Sequence, residues 1–150
     1  MLDAGVYSLW FSQFVLGEPT RVQASGNLAP TGVDSDTVVA IESASGALAA
    51  VTTSIVADTP VLAAVYGTEG SIRFDSNFVM PAGFTLVTGA GEQVYRDESG
   101  LVGRDGLAWQ AVALAQYVSE GLTESPVHSL DDSIALMRTI DEVRRQVGAV

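Results

Sequence analysis

Asp3 and Tyr7 are the first residues of this chain whose types could do chemistry, and they stand four positions apart. In a helix that spacing puts a carboxylate and a phenol on one face, one turn apart. A phenol hydroxyl both donates and accepts hydrogen bonds, and its ordinary pKa is about 10. It needs a neighbouring cation to exchange its proton near neutral pH. Gly5, between the two, removes a side chain where another group could approach closely. Each residue also has a plainer reading. Asp3 suits a helix start because the dipole favours an acid there. Tyr7 suits a helix packed on a sheet, with its hydroxyl at the edge.

The other candidates are sparse. There is one histidine, His128, and no cysteine. Thiol chemistry is excluded, and no set of zinc ligands can be assembled. His128 is expected as a solvated loop residue, without a metal. Trp10 and Trp109 are expected in the core, with Trp109 also placed to edge a substrate cleft. The triplet Gly89-Ala90-Gly91 lies between two strands and opens no helix, so it reads as a turn and not a dinucleotide loop.

Several elements must hold the Asp3–Tyr7 face. The stretch from Leu2 to Leu16 reads as a mostly apolar helix, stopped by Gly17 with Pro19 close behind. Thr20–Leu28 reads as a strand, and Thr37–Ser43 with Ala47–Val56 as a hairpin. Val61–Tyr66 and Ser71–Phe74 flank Gly67-Thr68-Glu69-Gly70, a second hairpin. An irregular segment from Asp75 to Gly83 leads to a third, Phe84–Val87 with Gln93–Arg96. Then Leu107, Ala111, Leu114, Ala115, Val118 and Leu122 recur at helical steps. A last helix begins after Ser129 as N-cap, with Asp131 and Asp132 in its first turn and Arg144 and Arg145 near its end. Its expected apolar face is Leu130, Ile134, Met137, Ile140, Val143 and Val147.

One helix, about seven strands joined mainly by hairpins and two further helices indicate an α+β class with an open, mostly antiparallel sheet and helices on one face. The length of 150 residues suits a single domain, 1–150. Alternation in the strands is weak, so both sheet faces are expected to be covered. The helices cover one face; a second copy of the chain is the simplest cover for the other, giving a homodimer or tetramer. The plainer alternative is a sheet whose small residues face solvent.

Composition bounds the partners. Net charge is −11, all seven basic residues are Arg, and there is no lysine. No basic patch can be drawn, which argues against nucleic acid and against an acidic membrane surface. No apolar run reaches the length of a membrane span and no leader precedes the first helix, so a soluble, cytoplasmic protein is expected. Charged residues make up 17 %, below the roughly 25 % of typical domains. Such a chain is expected to bury part of its surface against something else.

Taken in order, Leu2-Asp3-Ala4-Gly5-Val6-Tyr7, Leu16-Gly17-Glu18-Pro19, Gly67-Thr68-Glu69-Gly70-Ser71-Ile72, Glu124-Ser125-Pro126, Ser129-Leu130-Asp131-Asp132-Ser133, Met137-Arg138 and Asp141-Glu142-Val143-Arg144 resemble the C-terminal domain of the Gfo/Idh/MocA oxidoreductases. The resemblance spans Leu2 to about Gly148. It implies two-domain enzymes, in which an N-terminal Rossmann domain binds NAD or NADP and the C-terminal domain binds substrate and forms oligomers. Read so, this chain is the second domain alone, a fragment of a longer protein, and binds no cofactor by itself. It cannot contain the family's Glu-Lys-Pro motif, since it has no lysine.

The resemblance also implies roles. Asp3 would hydrogen-bond a substrate hydroxyl, and Tyr7 would be the general acid/base at the carbinol carbon, activated by a lysine of the missing domain. Tyrosine where other members have histidine resembles the branch of glucose–fructose oxidoreductase, xylose dehydrogenases and dimeric dihydrodiol dehydrogenases. Arg104, with Asp105, and Trp109 would lie where members contact substrate, a sugar, cyclitol or related diol. The competing expectation is a non-catalytic binding or assembly domain with the same fold.

Overall fold

The structure is a computed structural model and describes residues 1–74 and 77–149. Asp75 and Ser76, where the irregular segment was expected to begin, lie outside the described residues. In order the elements are α1 (Gly5–Leu16), β1 (Pro19–Leu28), β2 (Asp34–Ser43), β3 (Leu48–Ser54), β4 (Ala63–Tyr66), β5 (Gly70–Phe74), β6 (Gly83–Thr88), β7 (Gly91–Arg96), a short 3-10 turn (Gly103–Leu107), α2 (Ala108–Ser119) and α3 (Leu130–Val147). The class is α+β, and every ladder is antiparallel. The strands pair in two sheets, β1-β2-β3 and β4-β5-β6-β7. They belong to two compact units, Met1–Thr59 with Glu124–Val150, and Pro60–Thr123.

The first unit holds the main core. Burial alternates along β2: Thr37, Val39, Ile41 and Ser43 are buried, while Val38 and Ala40 are exposed. Val51 of β3 shares the inner face. Leu9 of α1 and Leu136, Ile140 and Val143 of α3 close over it, with Val6, Trp10, Val22, Ala24 and Ala49 around them. Each removes apolar side chain from water, and such burial is the main favourable term in the fold. Helix α1 packs on β3, and α3 on β1 and β2.

The expected cover for both sheet faces is found on one only. Leu48, Ala50 and Thr52 of β3 and Val38 and Ala40 of β2 point away from the helices and are exposed, Leu48 at 75 %.

Helix ends follow the sequence. Gly17 stops α1 at a positive φ of 79°, and its N–H bonds the Gln13 carbonyl. Ser129 caps α3, accepting from the Asp132 N–H, while the Asp132 carboxylate accepts from the Ser129 N–H, a reciprocal capping box. At the other end of α3, the Gln146 amide reaches β1. Its Nε2 donates to the Val22 carbonyl at 2.9 Å, and its Oε1 accepts from the Ala24 N–H at 2.7 Å.

The buried face of α3 differs from the expected one. Leu136, Thr139, Ile140 and Val143 are buried, whereas Leu130, Ile134 and Met137 are exposed. Three consecutive steps of three residues, 134 to 143, each fall about 60° short of a full turn. The stripe read from the sequence therefore winds around the helix, and only its later half meets the sheet.

In the second unit, Phe74, Phe84 and Tyr95 stack across β5, β6 and β7, with ring centroids 5.9 and 4.7 Å apart. Gly89 and Ala90 form the two-residue turn between β6 and β7, as expected of the glycine triplet. Helix α2 has no buried residue: Ala113 and Tyr117 are half-buried, while Leu107, Leu114, Val118 and Leu122 are exposed.

Candidate functional site

Helix α1 starts three residues later than the sequence suggested. Residues 2–4 form a turn, and Gly5 is the first helical residue. Asp3 therefore lies ahead of the helix, exposed, and Tyr7 sits in the first turn, 48 % exposed. Among the described residues, neither side chain makes a hydrogen bond or an ion pair. The two polar groups lie at the start of one element, on the accessible side of a helix whose other side is anchored by Leu9 and Ser12.

Gly5 leaves room for a close approach, as its position suggested. It is buried, and a methyl group added there would overlap the Met1 sulfur. The group that uses the space is the Met1 side chain, itself buried. Asp3 and Tyr7 remain exposed.

Farther along α1, Trp10 stacks on Phe14, with centroids 5.2 Å apart. Positions 7, 10 and 14 share one side of a helix, so the Tyr7 side continues as an aromatic row. Trp10 also meets His128, edge to face. The indole N–H donates to His128 Nδ1 at 3.3 Å, and His128 Nε2 lies 3.1 Å from the Ser133 hydroxyl. His128 is half-buried and held on two sides, not a solvated loop residue. A gap of about 210 Å³ lies beside it, lined by Trp10, Gln13, Phe14, Val127, His128 and Asp132. That is smaller than the roughly 300–1,000 Å³ of ligand pockets. Trp10 packs against the core as expected, although its indole nitrogen is committed to His128.

Arg104 and Trp109 belong to the second unit. Arg104 is exposed in the 3-10 turn, and Trp109 is 50 % exposed in the first turn of α2, not in the core. Asp3 and Tyr7 are grouped by α1, Arg104 and Trp109 by the turn leading into α2. No cluster of three or more metal-ligating side chains occurs among the described residues. A dinucleotide cradle of the Rossmann kind needs a parallel strand–glycine loop–helix unit. The ladders among the described residues are all antiparallel, so these residues do not form a cradle of that kind. No helix is long and apolar enough to cross a membrane.

Antiparallel sheets with helices packed on them define an α+β class, and comparison with known proteins shows what the chain is similar to. Residues 1–73, just under half of the chain, match the family model described as the GFO/IDH/MocA C-terminal domain. Trans-1,2-dihydrobenzene-1,2-diol dehydrogenase of Danio rerio is 34 % identical over 156 residues, covering 100 % of this chain and 46 % of that protein. The chain spans about half the length of the curated relatives it matches. Among solved structures, the aldose-aldose oxidoreductase of Caulobacter crescentus superposes with a TM-score of 0.77 at 18 % identity, over 96 % of this chain and 44 % of that one. Levoglucosan dehydrogenase, in complex with NADH and L-sorbose, superposes with a TM-score of 0.77 at 16 % identity, over 97 % and 48 %. These two likenesses are of fold.

Proposed function

We propose that residues 1–150 act as one substrate-binding and oligomerisation domain of an NAD(P)-dependent oxidoreductase acting on a sugar, cyclitol or related diol. The observation that carries this reading is Tyr7: an unpaired, half-exposed phenol at the start of α1, inside the segment that matches the family. Diol dehydrogenases are among the relatives similar in sequence, and a vicinal diol suits an acid–phenol pair. The cofactor, held by a preceding Rossmann domain, supplies the hydride acceptor or donor.

The residues of this chain do the rest. Asp3 accepts a hydrogen bond from one substrate hydroxyl and fixes its orientation. Tyr7 takes the proton from the hydroxyl being oxidised, or returns it to the carbonyl being reduced. A cation from the preceding domain brings the phenol into the working pH range. The exposed outer face of β2 and β3 receives a second copy, giving a homodimer or tetramer.

Substitution of Tyr7 tests the reading. In the full-length protein, Tyr7→Phe should lower kcat at least ~100-fold, the range for loss of a general acid/base, with substrate binding largely kept. Near-native turnover would reduce Tyr7 to a surface residue. It would also favour the alternative, a non-catalytic assembly domain, for which the uncovered apolar side of α2 is the supporting observation.

A further inference from the structure

A chain of hydrogen bonds joins α1 to the start of α3. Trp10 Nε1–H donates to His128 Nδ1 at 3.3 Å. Ser133 Oγ donates to the Ser129 carbonyl at 3.1 Å. With its one proton so used, Ser133 Oγ faces His128 Nε2, 3.1 Å away, as an acceptor. The Nε2 atom must then carry the ring proton, and Nδ1 is left bare to receive the indole N–H. All three bonds are satisfied in a single state of the imidazole, neutral and protonated on Nε2. A second proton would go to Nδ1, set a donor against the indole donor and break the link.

The link lies on the side of α1 that carries Tyr7. Trp10 follows Tyr7 by three residues, close to one helical turn, and its ring is clamped between Phe14 and His128. Loss of the Trp10–His128 bond frees the indole edge on the side of α1 that carries Tyr7, while Leu9 and Ser12 keep the helix docked. The groove around His128 is acidic. Asp132 lines the gap from α3, Asp131 precedes it, and Glu124 bonds the Leu130 N–H from the loop. From α1 the facing groups are Trp10, Gln13 and Phe14, none of them titratable.

We infer that His128 is a positioning residue: in its neutral form it holds Trp10, and through α1 it holds Tyr7, and protonation releases both. The inference rests on the reading of Tyr7 as the acid/base only for its effect on turnover. The link itself is measurable without activity.

The test is nuclear magnetic resonance on the 150-residue chain. The indole N–H resonance of Trp10 and the ring resonances of Tyr7 are followed as pH is lowered from 8 to 5. The expected result is a shift of both with one common midpoint. In His128→Asn, which keeps Asp131, Asp132 and Glu124, both titrations should vanish. In Trp10→Phe, which keeps an aromatic ring but has no indole N–H, the Tyr7 titration should vanish although His128 is still present. A still Trp10 resonance, a Tyr7 resonance that does not follow it, or titrations that persist in His128→Asn would each overturn the inference.

In the full-length protein, kcat should fall about fivefold on the acid side, the loss of one hydrogen bond, with KM little changed. That limb should be absent in Trp10→Phe. If Tyr7→Phe leaves turnover intact while the resonances titrate together, the link stands and the assignment of Tyr7 as catalyst falls.

Discussion

Single residues set how firmly the site is held. Leu9 is 1 % exposed and faces the sheet from the turn after Tyr7. Leu9→Ala should lower stability by about 3 kcal/mol, the range for a buried leucine, read as a lower urea midpoint. A loss well under 1 kcal/mol, below that range, would mean that α1 is not docked as described. At this scale the sequence was informative about type and poor about contact. An acid and a phenol four apart could be picked out by spacing alone. That Asp3 precedes the helix depends on where residues 2–4 turn, and Ala4, with no side-chain cap, gives no signal for it. Gly5 marked a close approach, but glycine says that space is needed, not which group fills it. The role of His128 was invisible for another reason: its partner Trp10 is 118 residues away. A tryptophan on a helix with an indole N–H to satisfy was the only available hint.

At the scale of elements, α3 is built to be read. Its capping box, acidic first turn and basic last turn agree with one another, and the helix begins where they place it. Ser129→Ala should cost about 1 kcal/mol, the usual value of an N-cap, measurable by chemical denaturation. Acid should weaken the same helix. The Glu142 carboxyl is held down from 4.5 to about 2, first by the Arg145 guanidinium and then by the Gln146 amide. The Ser129 N–H and hydroxyl likewise hold Asp132 below its ordinary value. A carboxylate depressed in the folded state adds stability above its unfolded pKa and loses it as pH falls through the folded one. Thermal stability should therefore decline between pH 4.5 and about 2, and Glu142→Gln should flatten part of that decline. The apolar face of α3 was less legible, since a periodic pattern marks where apolar residues recur and not which arc the sheet touches. Helix α2 makes the same point, with its expected apolar side present and left exposed.

For the whole molecule, the order of elements and the antiparallel pairing could be argued from hairpin lengths, because a tight turn permits only that pairing. Weak alternation pointed to two covered faces; the helices cover one, and on the other Val38, Ala40, Leu48 and Ala50 are exposed. Two predictions belong here. The chain should run as a dimer or larger by light scattering, and Leu48→Asp should give a folded monomer; a wild-type monomer would remove the argument from the sheet face. The chain should show no binding of NAD(H) or NADP(H) by calorimetry at micromolar concentration, because the antiparallel ladders offer no cradle for the pyrophosphate.

The Gln146 amide also limits how copies can join. It occupies the Val22 carbonyl and the Ala24 N–H, two of the groups along β1 that a neighbouring strand would use to extend the sheet. A side chain carried on α3 thus blocks the middle of that border, and an added strand would have to displace it. Gln146→Ala would leave that stretch open to strand addition.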